Sequence, residues 1–251
     1  MEITLNVVRE KIRKKMLYVT TIVGILIVSV FSSGMGSLTI GGKNIKDYYV
    51  MVPILINIVN FLAGAIALAM SVTTVPDEYE RRTSHLIWSR GVSQNRYHFS
   101  LAAGNVLVSW ISGFILYGAL VIFAIMNGYP QIIGTLVAAT FFMMFYTAII
   151  CLITTALSIK LPPVFTGTIM ILILVGGAFR SMLTLFTAAF TGIGGMITKR
   201  ALLIIPNLAG ISKQAGNLVQ GKPVNVHEII IALIVIWIAG LGILLLKREE
   251  A

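Results

Sequence analysis

The sequence predicts an all-α polytopic membrane protein: six transmembrane helices, an N-terminal interfacial helix and a re-entrant helical hairpin before the last span. Three observations carry that expectation. The 251 residues are 57% apolar and only 11% charged, whereas a soluble domain carries about 25% charged residues. Mean hydropathy is +0.94. Long apolar runs alternate with short charged loops, as expected where stretches of about 20 apolar residues cross hydrocarbon. Residues 1–251 are therefore expected to form a single transmembrane domain, with little room for a soluble one.

Residues 2–15, EITLNVVREKIRKK, put Ile3, Val7, Val8 and Ile12 near one helical face, with Arg9, Arg13 and Lys14 around the rest. That pattern suits a helix lying on the headgroup plane, and its basic residues assign this end to the cytoplasm. Residues 16–31 form the first span, and the Gly-rich stretch 34–47 an outer loop ahead of Tyr48 and Tyr49, which sit at aromatic-belt depth. The second span, 50–72, carries Ala63, Gly64 and Ala67 as a small-residue stripe suited to close packing. Its strongly polar residues, Asn57 and Asn60, make either an interhelical hydrogen bond or a substrate contact.

A charged segment follows at 74–98. Each charge at mid-bilayer would cost roughly 2.5–3.5 kcal/mol, so Asp77, Glu78, Glu80, Arg81, Arg82 and Arg90 are expected in water. Thr74 and Asp77 have capping-box spacing, with Pro76 tolerated in the first turn. Asp77–Arg81 and Glu78–Arg82 are i,i+4 pairs with the acid first. Gly91 ends the helix and Ser93 can cap the next. The expected short cytoplasmic helix presents Tyr79, Leu86, Ile87 and Trp88 either as a binding surface or as an interfacial anchor.

Residues 99–126 form the third span, with Asn105, Trp110 and Tyr117 as polar handles, and Asn127 to Pro130 a tight outer turn. The fourth span, 131–157, holds the bulky run 141–146, which either lines a greasy path or simply packs. The fifth is 164–186, with Arg180 snorkelling near its outer end or meeting substrate. In 187–227, Gly192, Gly194, Gly195, Lys199 and Arg200 interrupt the apolar pattern. Such a break fits a re-entrant or outer-leaflet hairpin covered by protein or a water-filled cavity. The last span, 228–246, closes on Lys247 and Arg248, so both termini are expected in the cytoplasm.

Catalytic signatures are missing from the sequence. His85, His98 and His227 stand alone, without metal-ligand spacing. No buried carboxylate is expected in any span for a proton relay, and the single cysteine, Cys151, excludes an internal disulfide. There is neither a Gly-x-Ser-x-Gly elbow nor a phosphate-binding Gly-x-x-x-x-Gly-Lys-Ser/Thr loop. The net charge of +10 is spread over short loops, which argues against nucleic acid. Neither enzymatic activity nor a bound cofactor or metal is expected of this chain. Asn57, Asn60 and Arg180 are the candidate substrate-path residues.

One stretch resembles a known family. Glu78-Tyr-Glu80-Arg-Arg-Thr83-Ser-His-Leu86, followed by Ser89-Arg90-Gly91-Val92-Ser93-Gln94-Asn95-Arg96, is similar to the coupling-helix loop of type-2 ABC transporter permeases. There an acid-x-acid-x-Gly-Thr-x-x-x-Leu pattern precedes Ser-Arg-Pro-(Val/Ile)-Ser-Arg. Arg82 stands where Gly is usual, Gly91 where Pro is usual, and Ser100-Leu101 where Gly-Lys is often seen. With the span layout, the resemblance covers nearly the whole chain. It implies a permease subunit of the cell membrane that exports an amphipathic or hydrophobic substrate. A separate ABC ATPase chain would hold ATP and Mg and drive it. It further implies a homodimer; because helices in lipid must pack through close approach, small-residue surfaces of the first, second or fifth span are expected at the seam. Docking onto the ATPase would fall to Asp77, Glu78, Glu80, Arg81, Thr83, Leu86, Ile87, Trp88 and Arg90. Replacing Glu78 and Glu80 is expected to spare folding and weaken docking. The alternative is a non-transporting immunity or sensor subunit that binds a ligand.

Overall fold

The structure, a computed structural model, describes residues 2–32, 38–40, 43–45, 48–81, 88–89, 91–189, 196, 200, 202 and 204–247. Among the described residues four helices are long and apolar enough to cross a membrane: Val50–Glu80, Gln94–Met126, Pro130–Lys160 and Val226–Leu245. A bent pair at the N-terminus makes a fifth crossing if counted as one span.

The pair is α1 (Glu2–Arg13) and α2 (Met16–Ser32), which meet at 58°. Lys15 makes the corner at φ 59°, a left-handed conformation that costs a side-chain-bearing residue about 1–2 kcal/mol. Packing holds α1 in place: Val7 is buried, and a Cβ at Gly104 would come within 2.6 Å of the Val7 Cβ. Thr4 Oγ1 also donates to the Ser100 carbonyl at 3.2 Å. The single apolar face expected from the sequence is in fact two. Val7 points into the bundle, whereas Leu5 and Ile12 are 45% and 44% exposed on the other side. That outward pair suits a bilayer surface.

A short antiparallel ribbon, β1 (Leu38–Ile40) with β2 (Lys43–Ile45), lies within the stretch expected to be plain loop. Next come α3 (Tyr48–Ser71) and α4 (Thr74–Glu80). They are nearly one helix, since the Asp77 N–H bonds the Thr73 carbonyl at 2.8 Å. The expected capping box does not form. Thr73 takes the N-cap position without a side-chain bond, and Thr74 is buried, its hydroxyl 2.8 Å from the Met70 carbonyl and 3.1 Å from Asn105 Oδ1. The charged segment thus begins as an extension of the span, because Thr74 and Val75 are packed inside the bundle where a helix start would need water.

Two long helices follow, α5 (Gln94–Met126) and α6 (Ile133–Lys160), joined through a 3-10 turn at Pro130–Ile132. Ser93 occupies the N-cap of α5, again without a side-chain bond. Then come α7 (Pro163–Ala178), α8 (Arg180–Ala189), α9 (Leu208–Val219) and α10 (Val226–Leu245). The expected fifth span, 164–186, is therefore not continuous. It breaks at Phe179, leaving α7 with 16 residues, about 24 Å and short of the ~30 Å hydrocarbon core. Arg180 opens α8, and its Nη1 donates to the Ile205 carbonyl at 2.8 Å. It ties two segments of the bundle together where a headgroup contact was one expectation. Most of 190–203 lies outside the described residues, so the first arm of the expected hairpin does too. Within the stretch where the hairpin is expected, α9 packs against α3 and α6.

The core sits between α3, α5, α6 and α9. Tyr146 and Leu174 press onto Gly64, and Ala63 and Ala67 are buried. The small-residue stripe of the second span is thus used within one chain, and any seam between copies must use other surfaces. Asn60 is fully buried. It accepts from the Tyr117 hydroxyl and donates to Ser212 Oγ, both at 2.9 Å, and so joins α3, α5 and α9.

Candidate functional site

Two places combine polar groups with access, at opposite ends of α3. The first is the α4 end. Arg81 Nη1 pairs with Glu10 Oε1 at 2.9 Å, and Lys14 Nζ reaches both Glu10 Oε1 at 3.0 Å and Asp77 Oδ2 at 3.3 Å. Arg81, expected to pair with Asp77, turns instead to Glu10 of α1, and Asp77 takes Lys14. Partial burial pushes the Glu10 carboxyl up, but hydrogen bonds and charge from Lys14 and Arg81 outweigh it and hold it below its ordinary value. Desolvation likewise works against the Lys14 ammonium, yet Glu10 and Asp77 raise it. The bond to Glu10 raises Arg81. Glu10–Lys14 has the i,i+4 spacing a sequence reader can see; the links from α1 to α4 cross more than 60 residues and leave no such mark.

Beneath this network Tyr97 donates to Glu78 Oε2 at 2.6 Å. The Tyr79 hydroxyl lies 2.8 Å from His98 Nε2 and accepts from Gln94 Nε2 at 2.7 Å. Trp88 stands edge-on to the Tyr79 ring, centroids 5.8 Å apart. Of the expected docking residues, Asp77, Glu78, Glu80, Arg81 and Trp88 gather here, and Glu80 and Arg81 are exposed. Tyr79 and Trp88 pack on each other and do not project. Thr83, Leu86, Ile87 and Arg90 lie outside the described residues.

The second place is a cleft of ≈ 610 Å³ at the far end of α3, between α3, α9 and the α7–α8 junction. Ile54, Ile58 and Phe61 furnish an apolar wall, and Asn57, Lys213 and Lys222 a polar rim. Tyr146 reaches the cleft with its hydroxyl buried and given no partner among the described residues. Of the candidate substrate-path residues, only Asn57 opens onto this cleft. Asn60 lies beneath it with its amide bonded on both sides, and Arg180 is bonded to Ile205 beside it. The two lysines escaped the sequence reading because they fall in the irregular stretch whose folding brings them back over α3. Among the described residues no group of three or more His, Cys, Asp or Glu could hold a metal.

Fold and sequence together define a helical membrane protein with several apolar spans. No protein-family model matches the chain, and no curated protein is significantly similar to it.

Proposed function

We propose that the chain is the membrane-spanning subunit of an ATP-driven exporter resembling the type-2 ABC permeases. It would work as a homodimer with a separate ATPase bound to each copy. In this reading α7 and α8 together complete one crossing. With α2 as another, and α1 lying on the membrane surface, they bring the total to six, and α9 belongs to the re-entrant hairpin expected over 187–227. The α1 and α4 ends face the cytoplasm of a cell membrane, as the basic residues of α1 favour.

The observation that supports this best is the junction of α4 and α1. A charged extension of the span, inside the loop that resembles the coupling element, is ion-paired to α1, and α1 is seated on α5 at Gly104. Force applied to α4 by a closing ATPase would then reach α1, α3 and α5 together, which suits rigid-body rocking of a helical bundle. The outer cleft, apolar on one wall and lysine-rimmed on the other, suits an amphipathic cargo carrying negative or polar groups.

Purification of the tagged chain from its own membrane in mild detergent tests the proposal. A second polypeptide with a Gly-x-x-x-x-Gly-Lys-Ser/Thr loop should accompany it and hydrolyse ATP. Recovery of the chain with no ATPase would favour the ligand-binding alternative.

A further inference from the structure

A groove of ≈ 680 Å³ opens between α5, α6 and α10, and among the described residues no charged side chain lines it. Its walls run from Phe99 to Trp110, Phe141 to Leu152, and Leu233 to Leu244. Each wall covers about 16 Å at 1.5 Å per residue, close to half of a ~30 Å hydrocarbon core. The groove is thus one leaflet deep. Its polar group, the Trp110 indole N–H, is already spent on the Met144 carbonyl at 3.1 Å.

The Phe99 end is the α1 end of the bundle, since Thr4 bonds Ser100 and Val7 sits on Gly104. Cations flank the groove there. Arg96 is exposed one helical turn before Phe99, and Lys247 is exposed three residues beyond Leu244. The first turn of α5 holds no acidic residue, so a basic side chain stands where the helix dipole already favours an anion. An apolar slot one leaflet deep, with two cations at its headgroup end, matches one kind of molecule.

We propose that this groove binds an anionic phospholipid of the leaflet on the α1 side. One acyl chain lies along Trp110 and Trp237, and the phosphate sits between Arg96 and Lys247. The site is separate from the cleft beside Asn57 and from the α4 charges, and it stands whether or not the chain partners an ATPase.

Two of the three tryptophans line the groove and can report its occupant. The full chain carrying Trp88→Phe is reconstituted in phosphatidylcholine vesicles. Either phosphatidylglycerol or phosphatidylcholine with dibrominated chains, which quench indole fluorescence, is added at equal mole fraction. Two basic side chains at a membrane surface should favour the anionic lipid by up to about thirtyfold in relative binding constant. Adding Arg96→Gln and Lys247→Gln should bring the two lipids level with fluorescence otherwise unchanged. A Cβ at Gly240 meets no atom within 4 Å, so Gly240→Phe should fill the slot and reduce quenching by both. Equal quenching by the two lipids in the Trp88→Phe chain would overturn the proposal, as would a preference that survives the double substitution. So would crosslinking of a Gly240→Cys variant into dimers with quenching lost, because a second copy would then occupy the groove.

Discussion

The ammonium of Lys11, in α1, donates a 2.6 Å hydrogen bond to the carbonyl of Met70, at the end of α3. Carbonyls at a helix C-terminus lack intrahelical partners and favour a cation, and here the cation comes from 59 residues away. Burial, with Lys14 close by, pushes the Lys11 ammonium below its ordinary value. The bond offsets part of the cost of burying that charge and fixes α1 against the hinge between α3 and α4. It is the buried counterpart of the more exposed Glu10–Arg81 pair.

Lys11→Met should therefore loosen α1. The Met70 carbonyl keeps the Thr74 hydroxyl, so the loss is that of one hydrogen bond involving a charged group, about 1.5–3 kcal/mol, read as a lower Tm in detergent. Trypsin cleavage after Lys14 and Lys15 should speed up as well. An unchanged Tm together with unchanged cleavage would mean that Val7 and Gly104 alone hold the helix.

The outer ion pairs should show themselves in acid. Because the folded chain holds Glu10 below its ordinary value of 4.5, the unfolded chain takes up that proton first as the pH falls. Stability from this carboxylate is present above the ordinary value and is lost as the pH drops through the lower folded one. All four partners are 30–52% exposed, so the effect is screened and stays under about 1 kcal/mol. Glu10→Gln should flatten the acid limb of the Tm profile, and raising the salt should shrink the difference between variant and parent.

Glu78 and Glu80, equivalent in the sequence, are not so in the fold. Glu78 accepts the Tyr97 hydroxyl, and a hydrogen bond to a charged group contributes about 1.5–3 kcal/mol. Glu80 is exposed at the end of α4. Glu80→Ala should leave Tm unchanged and weaken association with the ATPase, whereas Glu78→Ala should lower Tm as well. Titrating purified ATPase onto each variant, with Tm measured alongside, separates the two.

Asn60 is the polar hinge of the core. Asn60→Leu strands the Tyr117 hydroxyl and Ser212. Interhelical hydrogen bonds in membranes are worth about 0.6 kcal/mol on average and up to about 1.7, and two are lost, so a Tm drop of several degrees is expected. Pairing it with Tyr117→Phe should recover part of the loss in a double-mutant cycle. Full additivity would show that the two residues do not interact.

Much of this architecture is legible in the sequence because hydrophobicity dictates it. The long apolar runs became α3, α5, α6 and α10, and the polar residues singled out within them, Asn105, Trp110 and Tyr117, all find interhelical partners. What escaped depends on contacts distant along the chain. Lys11 reads as one more basic residue of a surface helix, yet it is buried against Met70. The capping-box pattern at Thr74 is locally sound, but Thr74 lies inside the bundle, where its hydroxyl bonds α3. The break at Phe179 is marked only by Gly176-Gly177 and Arg180 inside an otherwise apolar run; Arg180 is held by Ile205 across an intervening segment. The α1–α4 charge network joins residues that pattern alone would assign to separate helices.

Position 80 offers the most direct test of the proposed coupling site. A photo-crosslinking residue replaces Glu80 at the exposed end of α4, or Ile230, exposed near the start of α10 at the other end of the bundle, in chains expressed in their own membrane and illuminated there. The account predicts a covalent adduct with an ATP-binding polypeptide from position 80, and none from position 230. It also predicts that Arg81→Glu diminishes the adduct at position 80. An adduct of equal strength at both positions, or no ATPase adduct at position 80, would contradict it.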